Sequence, residues 1–115
     1  NIQMPRKYQR TAISLEIDLR WSSGNRRVCV RDISLGGCYI DCMTPIPQGE
    51  NISFEIKLSE NERLEVSGKV VYVFSGIGYG IEFLPLSEKA QIFIEHLILM
   101  NNGNPWVADE LIECV

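Results

Sequence analysis

Residues 13–20 read ISLEIDLR, in which apolar and polar side chains alternate without a break. This period of two is typical of a β-strand with one buried side and one solvent-facing side. Turn-forming residues follow at 22–25, and residues 27–31 indicate a second strand. We therefore expect the fold to begin with an antiparallel hairpin.

The same pattern continues through the next fifty residues. Further strands are indicated at 38–43, 52–58, 64–73 and 79–83, with segments rich in turn residues between them. Gly68 predicts a bulge or a sharp bend within the fifth strand. Six short strands with hairpin-length connections predict a mainly β fold, a small six-stranded antiparallel barrel.

A helix is predicted after the last strand, over residues 88–100. Ser87 is a suitable N-cap, and apolar residues up to Met100 then recur at helical spacing. Gly103 and Pro105 supply the stop signals. The chain is thus divided into an N-terminal arm (1–12), a barrel with a C-terminal helix (11–100) and a tail (101–115).

The composition is that of one globular domain, with 45% apolar and 23% charged residues in a chain of 115. The formal charge of −4 argues against nucleic-acid binding, because such surfaces usually carry net positive charge. No apolar run approaches the ~18 residues of a membrane span, so direct membrane insertion is not expected. The first residue is Asn1, which fits either a processed form or an excised piece.

Neither a metal site nor a catalytic site is predicted. The chain has four cysteines, at positions 29, 38, 42 and 114. None of them shows the two-residue spacing of zinc or redox motifs, and buried reduced thiols would fit a cytoplasmic protein. His96 is the single histidine and falls in the predicted helix, which leaves Ser34 without an evident base partner. We therefore expect no enzyme activity and no cofactor.

Two short motifs carry the binding chemistry. Arg6 and Arg10 lie four residues apart in a basic segment, and Asp32-x-Ser34-x-x-Gly37 follows about twenty residues later. Each has a plain structural interpretation when taken alone. The arginines would belong to a solvated terminus, and the second motif would be a side-chain-capped turn in which Gly36 and Gly37 supply positive φ.

Together, the two motifs resemble the signature of the PilZ domain family, Arg-x-x-x-Arg followed by [Asp/Asn]-x-Ser-x-x-Gly. Residues 78–83, GYGIEF, are similar to a late strand of that family, and the resemblance covers about residues 5–100. It implies a barrel that binds the second messenger cyclic di-GMP. The residues implied as ligand contacts are Arg6, Arg10, Asp32, Ser34, Gly36 and Gly37.

The residue types suit that ligand. A guanidinium fork can donate two parallel hydrogen bonds to O6 and N7 of guanine, or grip a phosphate. An ionised Asp32 can accept from guanine N1–H and N2–H, which discriminates against adenine. Ser34 can add a hydroxyl contact, and Gly37 with Gly36 lets the backbone approach the ligand.

The resemblance implies a receptor or effector that changes conformation on binding and regulates a protein partner of unknown identity. We expect the arginine arm to become ordered on the ligand. The alternative is a PilZ-like protein interaction module without nucleotide binding. Trp106, Leu111 and Ile112 of the tail are expected to pack on their own domain, with a docking or homodimer surface as the alternative.

Overall fold

The structure, a computed structural model, describes residues 8–106. Six strands and one helix follow one another in the predicted order. They are β1 (Thr11–Trp21), β2 (Gly24–Ile33), β3 (Gly37–Asp41), β4 (Asn51–Ser59), β5 (Glu62–Phe74), β6 (Gly78–Phe83) and α1 (Glu88–Met100). The mainly β class and the C-terminal helix are confirmed.

The strands close into an antiparallel barrel in the order β1-β2-β3-β6-β5-β4. Two of its pairings join strands that are distant in the chain. β3 pairs with β6 from Gly37↔Glu82 to Asp41↔Gly78, and β1 pairs with β4 over only four register positions, Asp18↔Glu55 to Trp21↔Ile52. The predicted barrel is thus confirmed, with its two halves held together by long-range pairings.

The alternating pattern places one side of each strand in the barrel interior. In β1, Ile17 and Leu19 are buried while the charged residues between and beside them face outward. Phe54 of β4 meets Phe83 of β6 across the core, with ring centroids 6.4 Å apart. Each fully buried side chain of this size contributes about 1.5–3 kcal/mol relative to exposure, so the inward positions hold the barrel closed.

Helix α1 covers one end of this core. The Ser87 hydroxyl accepts a hydrogen bond from the backbone N–H of Ala90 at 3.1 Å, which confirms the predicted N-cap. Ala90, Ile94 and Ile98 are buried. Met100, the last residue of the helix, is 80% exposed.

The helix ends in a left-handed residue, but that residue is Asn102 (φ 67°) rather than Gly103. The backbone N–H of Gly103 donates to the carbonyl of Ile98 at 2.9 Å. Trp106 Nε1–H donates to the Glu95 carboxylate at 3.2 Å, so the beginning of the tail folds back on its own helix. Leu111 and Ile112 lie outside the described residues.

Gly68 does not form the predicted bulge. It pairs in regular register with Ile52 and with Phe83, and the register shift between β5 and β6 falls later, between Val70 and Tyr72. A Cβ at Gly68 would lie 2.7 Å from Ile81 Cγ2, so the position needs a small residue for close packing.

The three cysteines within the described part of the chain are free thiols. Cys38 and Cys42 are buried on the inward side, as predicted, whereas Cys29 is half-buried. Cys114 lies outside the described residues. Between residues 8 and 106, no helix has the length and apolar character needed to span a membrane.

Candidate ligand-binding site

Arg10 and Asp32 lie together on one side of the barrel. Arg10 directly precedes β1, and Asp32 lies near the end of β2, where it pairs with Ala12. Arg10 Nη1 is 3.7 Å from Asp32 Oδ1, and both side chains are only 29% exposed. This partial burial weakens solvent screening, so the pair interacts more strongly than a fully exposed one. The fold thus joins one residue from each motif.

The turn between β2 and β3 is shorter than predicted. Asp32 still belongs to β2 and Gly37 already belongs to β3, so the prediction that all of residues 32–37 form a turn was wrong. The physical reason is a register shift between Val30 and Asp32, after which the β2–β3 pairing continues with Asp32↔Tyr39. The Asp32 carboxylate is therefore anchored on a strand.

Ser34 holds the remaining turn in shape. Its hydroxyl oxygen accepts hydrogen bonds from the backbone N–H groups of Gly36 at 3.1 Å and Gly37 at 3.2 Å. The backbone N–H of Ser34 donates to the Gly37 carbonyl at 2.8 Å, and Ser34 is buried. The backbone N–H of Phe83 in turn donates to the Gly36 carbonyl at 2.9 Å. The turn is fixed both by its own serine and by β6.

Gly36 and Gly37 have different physical roles. Neither has a positive φ; among the described glycines only Gly49 and Gly76 do, so the expected positive φ was wrong. A Cβ at Gly37 would overlap the carbonyl oxygen of Ile81, because β3 and β6 approach closely there. A Cβ at Gly36 would lie 3.3 Å from the ring of Tyr8 and 3.8 Å from Ser34 Oγ, and the second distance is an ordinary van der Waals contact. Gly37 thus permits strand pairing, while Gly36 leaves space beside the turn.

A pocket of about 180 Å³ opens beside this turn. It is smaller than the ~300–1,000 Å³ typical of pockets that enclose a drug-sized ligand, so it has room for part of a dinucleotide. Four of its lining residues were predicted from sequence: Arg10, Ser34, Gly36 and Gly37. The others are Tyr8, Val71, Tyr72, Ile81 and Glu82. Asp32 borders the same region through its ion pair with Arg10.

Sequence reasoning missed the other five lining residues, of which Tyr8, Tyr72 and Glu82 have polar or charged side chains. Tyr8 stands between the two arginines of the first motif, so its position in that motif was an available signal. Tyr72 and Glu82 reach the pocket only because β5 and β6 pair beside the turn. No local pattern in the sequence indicates that placement.

The surroundings of Asp32 are electrostatically coupled. Burial raises the pKa of the Cys38 thiol, the charge of Asp32 raises it further, and Arg10 opposes this. Partial desolvation raises the pKa of Tyr39, with smaller contributions from Asp41 and Asp32. Both groups therefore stay protonated near neutral pH.

Arg6 lies outside the described residues, as does the rest of the arm up to residue 7. Within residues 8–106, no group of three or more His, Cys, Asp or Glu side chains is arranged to hold a metal ion. His96 is exposed on α1.

Comparisons with known protein structures and with family models agree on one family. No curated protein sequence matches the chain. Solved structures that share its fold include the Bacillus subtilis inhibitor of motility MotI (DgrA), the Borreliella burgdorferi PlzA protein in complex with c-di-GMP, and the PilZ domain of CeSA from a cellulose-synthesizing bacterium. Sequence identities are 21%, 14% and 14%, and TM-scores are 0.69, 0.61 and 0.62, respectively.

The matched fraction differs among these structures. The alignments cover 88%, 75% and 80% of this chain and 52%, 38% and 96% of MotI, PlzA and the CeSA domain. The chain therefore spans about half of the MotI protein and nearly all of the isolated CeSA domain. The family model of the PilZ domain matches residues 5–100, which include both motifs, all six strands and α1. The chain belongs to the PilZ domain family.

Proposed function

We propose that this chain is a cyclic di-GMP receptor that regulates a partner protein. The observation that carries the proposal is the ion pair between Arg10 and Asp32 at the edge of a pocket lined by the rest of the second motif. The proposed ligand contacts are Arg6, Arg10, Asp32, Ser34, Gly36 and Gly37. PlzA, a structural neighbour, is a c-di-GMP complex, which supports this choice of ligand.

The geometry suits guanine recognition. Asp32 is held on a strand and Arg10 is held against it, so an acceptor and a planar donor fork are available side by side. Guanine presents N1–H and N2–H donors beside its O6 acceptor, and an adjacent carboxylate and guanidinium can address both kinds of group. Adenine has no N1–H donor, and bound adenine would leave the carboxylate without that hydrogen bond. We therefore expect guanine to be preferred over adenine.

The arm supplies the conformational response in this proposal. Residues 1–12 form the arginine-bearing arm, residues 11–100 the barrel with its helix, and residues 101–115 the tail. Arg6 joins Arg10 on the bound ligand, which draws the arm against the barrel and changes the surface offered to a partner. Amide hydrogen exchange of residues 1–12 that is the same with and without saturating ligand would contradict this step. The proposed setting is the cytoplasm.

Calorimetric titration of cyclic di-GMP tests the site. Hydrogen bonds that involve a charged group are worth about 1.5–3 kcal/mol, so Arg10→Ala and Asp32→Ala should each weaken binding by about 10- to 150-fold. Arg26→Ala, which removes an exposed arginine of β2, is the matched control and should bind like the wild type. Cyclic di-AMP should bind the wild type more weakly than cyclic di-GMP, and the ligand should be recovered intact.

The possible failures of this test have different meanings. If the wild type shows no binding at high micromolar ligand, the interaction-module alternative replaces the proposal. That alternative has its own support, since Phe74 and Ile77 at the β5–β6 hairpin and the nearby Met43 expose apolar side chains. If both substitutions leave binding unchanged, the ligand site lies elsewhere on the chain.

A further inference from the structure

Strand β5 changes the side to which its residues point. Up to Val70, every second residue is buried, as expected for a barrel strand. By that alternation Tyr72 would point inward, but the register shift between Val70 and Tyr72 adds one residue, and Tyr72 is 60% exposed. The bulge therefore turns one large aromatic ring to the outer surface.

The strand beside Tyr72 has a glycine at the facing position. Gly80 of β6 pairs with Tyr72 on one side and with Tyr39 of β3 on the other. A Cβ on Gly80 would lie 3.1 Å from Tyr72 Cδ2 and 3.2 Å from its Cβ. The ring thus lies across the glycine, and a larger residue at this position would push it away from the barrel wall.

This ring forms a wall of the pocket described above. Tyr72 lines the pocket together with Arg10 and the turn glycines Gly36 and Gly37. A flat aromatic ring, a cationic fork and two residues without side chains therefore border one small space. The ring can contact the face of a purine base, and the guanidinium can bind the polar edge of the base or a phosphate. The glycines leave room for the nucleotide to approach the backbone closely.

We propose that Tyr72 stacks on a guanine base of the ligand and is a binding residue outside both sequence motifs. This inference rests on the proposed cyclic di-GMP binding and adds the contact to the base face. Aromatic side chains stack on the π-face of a base, and every base has such a face. Tyr72 therefore contributes to affinity and not to the choice between guanine and adenine. Discrimination against adenine remains with Asp32, which addresses the edge of the base.

Four proteins test this assignment by calorimetric titration of cyclic di-GMP: the wild type, Tyr72→Ala, Tyr72→Phe and Val73→Ala. Loss of the stacked ring should weaken binding by about 5- to 150-fold in Tyr72→Ala. Tyr72→Phe keeps the ring and should stay within about twofold of the wild type. Val73 is also exposed on β5, at 42%, but does not line the pocket, so Val73→Ala should bind normally.

A second measurement reports direct contact. In Tyr72→Trp, cyclic di-GMP should quench the fluorescence of the added indole. The wild type, titrated in the same way, gives the response of the two native tryptophans, Trp21 and Trp106. Circular dichroism melting should show that all variants fold, as expected for substitutions at exposed positions. Wild-type affinity in Tyr72→Ala, or no change in the fluorescence of Tyr72→Trp beyond that of the wild type when the ligand is added, would overturn this inference alone. Absence of binding by the wild type would overturn the proposed function and this inference together.

Discussion

The two neighbouring glycines of the second motif offer a sharp test of the structure. We predict that Gly37→Ala strongly destabilises the barrel, whereas Gly36→Ala does not. The new methyl group at Gly37 would overlap the Ile81 carbonyl oxygen and lie 3.1 Å from its carbonyl carbon and 3.3 Å from the Glu82 Cα. All three atoms are backbone of β6, so they cannot move aside as the end of a flexible side chain can.

The loss of stability in Gly37→Ala can be estimated from the strand pairing that the methyl group would disrupt. Relief of the overlap requires β3 to separate from β6 at Gly37↔Glu82, next to the hydrogen bond from Phe83 N–H to the Gly36 carbonyl. Overpacking of a well-packed interior costs about 1–3 kcal/mol, and a clash of a methyl group with the backbone of a paired strand belongs at the upper end. For a chain of this size, 3 kcal/mol corresponds to a fall in Tm of about 12 °C.

Gly36→Ala is the matched control, one residue away. The tightest contact of its methyl group would be with the Tyr8 ring, at 3.3 Å, and that side chain can shift. Gly36 has no positive φ, so alanine also reduces the entropy of the unfolded chain, and the change in stability should stay within about 1 kcal/mol. Thermal melts by circular dichroism measure both variants. Melting temperatures for the two variants within about 2 °C of each other would refute the assigned role of Gly37.

Three further predictions concern other buried groups. Tyr79→Phe should lower the free energy of unfolding by about 1–3 kcal/mol in urea titrations, because the buried hydroxyl donates to the Thr44 carbonyl at 2.6 Å and accepts from Ile46 N–H at 2.8 Å; an unchanged midpoint would contradict this. Ser34→Ala should cost about 1 kcal/mol through loss of the turn hydrogen bonds, whereas Ser34→Thr, which keeps the hydroxyl, should cost less. Because burial raises the pKa of Cys38, its thiol stabilises the fold fully below the unfolded pKa of about 8.5 and progressively less as the pH rises above it. The Tm of the wild type should therefore fall more steeply between pH 8 and 10 than that of Cys38→Val, and parallel curves would disprove the contribution.

Much of the fold could be predicted because its signals are local. The alternation in residues 13–20 identifies β1, and Ser87 identifies the start of α1 through a hydrogen bond to a residue three positions later. Closure of the barrel followed from the number of strands and the short connections. Both kinds of inference need only residues that are close in the sequence.

The candidate site was predicted only in part because it depends on pairing between distant strands. The motifs supplied Arg10 and Asp32, and the structure brings these two together. Tyr72 was missed because its outward direction results from a register shift against β6, which the sequence of β5 alone does not reveal. From the sequence, Gly37 was expected to let the ligand approach the backbone. The Ile81 and Glu82 backbone atoms beside it show that the pairing with β6 already requires a glycine.

The pairing of β3 with β6 also has a consequence for folding kinetics. It joins residues 37–41 to residues 78–82, and the pocket has walls from both partners and from the segment before β1. Closing so long a loop is a slow, entropically costly event compared with the formation of a local hairpin. The pocket can therefore form only late, after the two halves of the chain have met. Under the proposed function, a nascent or truncated chain that ends before β6 would lack the pocket and would not bind cyclic di-GMP, and saturating ligand would act on the refolding protein mainly by slowing its unfolding.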